Sequence, residues 1–293
     1  MVYSRKNTPA LFAKRGIGLL VMAYALNAAR AIVPYAISRA MGEEFFLTLA
    51  EALLLGDIMQ LAGLSFLLMA LLKKCKASIP AILSVTLILQ IAGDLLAHFT
   101  DFSESAFRYV LGLFFYTYEH SSFPVMQWFL YPALGYCFGH LLQRTLDKKR
   151  LYTNMLLIGI GYGILAIFGL EAVNVDIVSM FLVDSMYYNA NLVNHAFYLI
   201  AVLIMIPSCY FLSTAIKSDP VVSVISLLSS KVTVIYVIQW LLITCSLIII
   251  GAAGIEVISK SWAFLVSAVI LVLSAVFAVR YQKIRDRYRL SRK

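Results

Sequence analysis

The sequence predicts an all-α fold: a polytopic bundle of eight transmembrane helices with both termini in the cytoplasm. Three observations predict it. The 293 residues are 62% hydrophobic and only 13% charged, whereas a soluble domain is about half apolar and a quarter charged. The apolar residues come in continuous blocks of about 20, the length that crosses a hydrocarbon core of about 30 Å. The charges between the blocks alternate in sign from one side to the other.

Each observation excludes an alternative. A mean hydropathy of +0.88 leaves too little polar surface for a soluble fold with one large core. Membrane barrels need alternating strands, and these blocks do not alternate. A single segment in lipid satisfies its own backbone only as a helix. The spans fall at roughly 16–37, 55–72, 77–98, 123–143, 151–170, 191–216, 232–251 and 259–281. The first block is longer than a signal-peptide core, so no cleavable signal is expected. Residues 1–293 read as one integral membrane domain, with a basic tail, 281–293, on the anionic inner leaflet. The segment 106–117 is too short to span and rich in aromatics. It reads as an interfacial helix or as a lid over an outer cavity.

The net charge of +9 invites a nucleic-acid partner, and its distribution argues against one. The termini and the loops on their side hold 20 Lys and Arg against Asp147, Asp219 and Asp286. Everything else holds 4 cations and 12 acids. This is the positive-inside pattern. The partners it implies are membrane lipids. Cys75, Cys137, Cys209 and Cys245 form no CxxC pair, and they read as apolar filler rather than metal ligands or disulfides. No metal is expected.

Ionisable and amide side chains at membrane depth are costly, so each is a candidate site residue. Asn27 and Arg30 share a face of the first span, and Asp57 and Gln60 lie near the outer end of the second. Gln90 and Asp94 share a face of the third, with His98 one turn on. Gln127 and Trp128 open the fourth span. Asn191, Asn194 and His195 share a face at the outer start of the sixth, and Gln239 and Trp240 sit in the seventh. Most of these lie in the outer half of the bilayer, which suggests a polar cavity opening outward. The plainer readings stay open: an ion pair of Arg30 with Asp57 or Asp94, and interhelical hydrogen bonds for the amides. An imidazole such as His195 has the intrinsic basicity of a general base near neutral pH. His98 and His120 are nearer water. The chain has no phosphate-binding Gly loop, GxSxG or HExxH. The run GIGYG at 159–163 is a helix-packing pattern within a span.

Two stretches, FAKRGIGLLVMAYALN (12–27) leading to GDIMQLAGLSFLLMALLKK (56–74), and FPVMQWFLYPALGYCFGHLL (123–142), resemble helices of the bacterial proteins similar to heparan-α-glucosaminide N-acetyltransferase. A third, SSKVTVIYVIQWLLI (229–243), resembles a late helix of the broader polysaccharide membrane acyltransferases. The resemblance implies a transferase in the bacterial cytoplasmic membrane. It would take an acyl group from cytoplasmic acyl-CoA, a co-substrate, to an extracytoplasmic sugar hydroxyl or amine on a cell-surface glycan or lipid-linked sugar. Those families begin with further helices carrying a catalytic histidine. The position where it would follow Arg15-Gly16 is Leu26 or Asn27, so the chain reads as a shortened or inactive member, or one whose base is replaced. On this reading His195 is the base, oriented by Asp94 or Asp57, with Asn27, Arg30, Asp57, Gln60, Gln127 and Asn194 lining the acceptor site. The alternative is a non-enzymatic permease or binding protein for a small polar or lipid-linked solute, using the same cavity.

Overall fold

In the computed structural model, the described residues are 8–42, 48–102, 104–105, 107–117, 122–172, 190–255 and 259–290. Every regular element among them is a helix: α1 (Pro9–Met41), α2 (Leu49–Leu54), α3 (Ile58–Lys74), α4 (Ile79–Phe99), α5 (Arg108–Leu111), α6 (Val125–Trp128), α7 (Leu130–Arg144), α8 (Lys148–Ala172), α9 (Leu192–Ala215), α10 (Asp219–Ser230), α11 (Val232–Ala252) and α12 (Lys260–Leu290).

The helix starts follow local chemistry. Thr8 accepts from the Leu11 N–H ahead of Pro9, and Ser78 accepts from the Ala81 N–H with Pro80 in the first turn. Such caps satisfy donors that the helix itself cannot. α1 ends at Gly42, whose φ of +76° is the left-handed value that glycine adopts without steric cost.

Among the described residues, six helices are long and apolar enough to cross a membrane, within Pro9–Ala40, Ile79–Phe99, Lys148–Gly169, Leu192–Ala215, Val232–Gly251 and Lys260–Tyr281. The other two predicted spans, 55–72 and 123–143, fall on α3, of 17 residues, and on α6 with α7, of 4 and 15 residues. The break at Phe129 has a local cause. Pro132 has no N–H to return to the carbonyl of Trp128, so the helix cannot run through without a gap.

The burial pattern is inverted relative to a soluble protein. Asn27, Gln60, Gln90, Gln127 and His195 are each at most 1% exposed, while Leu165, Phe168, Phe264 and Val272 are more than 60% exposed. Lipid as solvent accounts for both halves of this inversion. Apolar side chains facing hydrocarbon cost nothing, and polar ones there must turn inward.

The chain divides into two compact units, one of Met1–Tyr24 with Leu54–Leu212, the other of Ala25–Leu53 with Ser213–Lys293. In the first, α6 and α7 pack on α3 and α4. Glycines set the closest approaches. A Cβ on Gly16 would lie 2.7 Å from the Gly63 carbonyl oxygen, so α1 and α3 meet backbone to backbone. Gly159 and Gly163 of the GIGYG run lie against Leu203, Ile204 and Ile200 of α9, while Gly161 between them meets nothing within 4 Å. The pattern is therefore a packing face, as its spacing predicts. In the second unit, α11 packs along α12 and touches α10. α10 lies inside a stretch that reads as a plain loop in sequence, and the signal for it is Asp219-Pro220 at its start. The backbone helix of α12 runs on through the predicted basic tail as far as Leu290.

Within 107–117 the regular structure is a single helical turn, α5. The chain then folds onto α6: the Leu113 and Phe114 carbonyls accept from the N–H groups of Val125 and Met126 at 2.8 and 2.9 Å. The segment thereby caps α6.

Candidate functional site

Asp57, Gln60, Asp94, Gln127, Asn194 and His195 belong to the first unit, and Asn27 and Arg30 to the second. In the second unit Asn27 donates to the Leu53 carbonyl at 3.1 Å and accepts from Arg30 at 2.8 Å. The Arg30 guanidinium lies 4.7 Å from the Trp240 ring centroid, a cation–π arrangement. A groove of about 390 Å³ between α11 and α12, lined by Leu242, Trp262 and Leu265 among others, contains none of the predicted site residues.

In the first unit, Asp57 caps α3, accepting from the Ile58 N–H. Gln60, one turn on, donates to the Leu55 carbonyl at 3.1 Å. Both bonds lie at the entry to α3.

His195 is fully buried, at 0% exposure, in a cage of aromatics. The Trp128 ring meets it edge-on at 5.1 Å, Tyr131 at 5.4 Å and Tyr198 at 5.9 Å. The imidazole Nδ1 is 3.0 Å from the Tyr131 hydroxyl. The Ala190 backbone comes near the ring, but Nε2 has no partner in hydrogen-bond geometry among the described residues. With the tyrosine O–H donating to Nδ1, the neutral ring carries its proton on Nε2. Tyr131 is only partly buried, so it is the more accessible member of the pair.

Among the described residues Asp94 makes no direct hydrogen bond to His195. Among the described residues its carboxylate gathers three N–H donors. Oδ1 accepts from Gln90 at 3.0 Å and from Gln127 at 3.3 Å. Oδ2 accepts from the backbone N–H of Leu192, the first residue of α9, at 3.0 Å. All three donors are uncharged amide N–H groups. Gly93 makes the reach possible: a Cβ there would lie 3.0 Å from the Met126 Cβ and 3.3 Å from the Gln127 Cγ.

Asn191 completes the start of α9. Its side chain accepts from the Asn194 N–H, and its carbonyl from the His195 N–H, each at 3.0 Å. Asn194 is itself buried. The Gln60 and Gln90 carbonyl oxygens and the Ser65 hydroxyl are buried with no hydrogen-bond partner among the described residues, and such groups ordinarily meet water or a polar ligand. His98 is exposed and packs edge-on against Phe99; His120 lies outside the described residues. No three His, Cys, Asp or Glu side chains converge among the described residues, and the donor set is suited to hydrogen bonding.

Tyr131 and Tyr198 are missing from the residues that the sequence singles out. A signal for them exists: Trp128 and Tyr131 are three apart, as are His195 and Tyr198, so each pair shares a helical face. No protein-family model matches this chain, and neither a curated protein nor a solved structure matches it.

Proposed function

We propose that this chain is an acyltransferase of the bacterial cytoplasmic membrane, crossing it eight times with both termini inside. It moves an acyl group from cytoplasmic acyl-CoA to an extracytoplasmic sugar hydroxyl or amine. The charge partition supports the topology. The near-continuity of α6 and α7 supports counting them as one span.

The observation that carries the chemistry is the Tyr131–His195 pair, with a hydroxyl 3.0 Å from Nδ1 inside an aromatic cage. A buried imidazole with one nitrogen addressed by a tyrosine is equipped to take a proton. The acceptor's proton passes to the Tyr131 oxygen as Tyr131 passes its own to Nδ1. The acceptor heteroatom meanwhile attacks the thioester carbonyl, and the CoA thiolate leaves.

Purified chain in proteoliposomes, given radiolabelled acyl-CoA and a sugar acceptor, is expected to release CoA and label the sugar. His195→Asn, folded normally, is expected to lose about 10²–10⁴-fold in rate. Absence of turnover by the wild-type chain over a range of acyl lengths and acceptors would remove the enzymatic reading. The permease or binding-protein reading would then replace it. One observation favours that second reading: the helix interruption at Phe129 lies beside the His195 cage, and transporters place interrupted helices at their binding sites.

A further inference from the structure

Asp94 is a titratable group at membrane depth that the proton transfer does not use. Its three bonds join three separate stretches of chain: Gln90 on its own helix α4, Gln127 on α6, and the N–H that opens α9. Two of these stretches build the His195 cage. Gln127 precedes Trp128, whose ring packs on the imidazole, and Leu192 lies three residues before His195 on the same helix. An unpaired N–H at a helix start is one of the donors that the helix leaves unsatisfied, and a carboxylate there also meets the positive end of the helix dipole.

We propose that Asp94 is a positioning residue: its carboxylate clasps the start of α9 to α6 and so sets the imidazole against Trp128 and Tyr131. It acts through the backbone of α9 and takes no part in proton transfer. This rests on the reading of His195 as the base.

The hydrogen-bond inventory makes the distinction testable. An asparagine at this position keeps a carbonyl oxygen for the Leu192 N–H. Its NH₂ can donate to Gln90 and Gln127 once their amides turn over, because an amide presents an acceptor on one side and donors on the other. Asn therefore preserves the clasp while abolishing the charge. Ala deletes it.

The test uses the full chain with Trp240→Phe and Trp262→Phe, which leaves Trp128 as the single tryptophan. Asp94→Ala is expected to shift Trp128 emission to longer wavelength, raise its quenching by acrylamide, and lower kcat about 100-fold, the scale of a misplacement of about 1 Å. Asp94→Asn is expected to keep the wild-type emission and to hold kcat within about 30-fold and typically about fivefold, the range that a lost helix-terminal charge interaction costs. Wild-type emission and rate in Asp94→Ala would overturn the clasp. So would an Asp94→Asn protein with unmoved emission and the same 100-fold loss, because the charge itself would then be doing the chemistry. Should Asp94→Ala fail to fold, Asp94→Asn still decides, with Gln127→Met, which removes one arm, expected to move the Trp128 emission part of the way. Emission needs no turnover. If wild type transfers no acyl group, the acyltransferase reading fails while the clasp stands or falls on the fluorescence.

Discussion

Replacing Tyr131 by Phe removes one oxygen and leaves the ring packing in place. The hydroxyl is the side-chain hydrogen-bond partner of the His195 imidazole, 3.0 Å from Nδ1. The imidazole is 0% exposed, so water cannot replace the lost bond. A buried polar group stripped of its partner costs about 1–3 kcal/mol, whereas replacing both partners by apolar groups of similar shape is close to neutral. Tyr131→Phe alone is therefore expected to lower unfolding free energy by about 1–3 kcal/mol. In Tyr131→Phe/His195→Leu, no buried imidazole remains to be left unsatisfied. The double variant is expected to be more stable than the sum of the single changes, with a coupling of at least about 1 kcal/mol. Equilibrium unfolding of the four proteins in mixed detergent micelles measures this directly. Additivity to within about 0.5 kcal/mol, the ordinary result for independent sites, would refute the buried pair.

Three further outcomes follow from other parts of the molecule. Gly159→Ala puts a Cβ 2.9 Å from that of Leu203 and is expected to cost about 1–3 kcal/mol; Gly161→Ala, which meets nothing within 4 Å, is expected to be neutral or stabilising by up to about 1 kcal/mol, and equal melting shifts for the two would contradict the α8–α9 packing face. Arg30→Met and Trp240→Leu, combined in a double-mutant cycle, are expected to couple by about 0.5–2 kcal/mol, and a vanishing coupling would mean that the guanidinium gains nothing from the ring. Reporter fusions after residues 75, 147, 218 and 293 are expected in the cytoplasm and those near 104, 178 and 255 outside, and two or more reversed reporters would overturn the eight-span topology.

Much of the architecture was readable because lipid imposes a simple rule. A block of about 20 apolar residues in hydrocarbon has to be a helix, and among the described residues six helices are long and apolar enough to cross a membrane. The glycine face at 159–163 was readable too, because spacing by four aligns residues on one side of a helix without reference to any partner. The list of polar residues at membrane depth came from the same rule, since their cost singles them out.

What those residues bond to was settled by tertiary structure. The sequence suggested that Asp94 or Asp57 orients His195. In the fold, Gly93 lets α4 approach Gln127, so the carboxylate spends its lone pairs on two amides and on the Leu192 N–H. The imidazole is met instead by Tyr131, 64 residues away in sequence. Composition and periodicity report how deep a side chain lies and which face of its own helix it occupies. The hydrogen-bond partner depends on which helices pack together, at what distance and in what rotation, and no single helix encodes that.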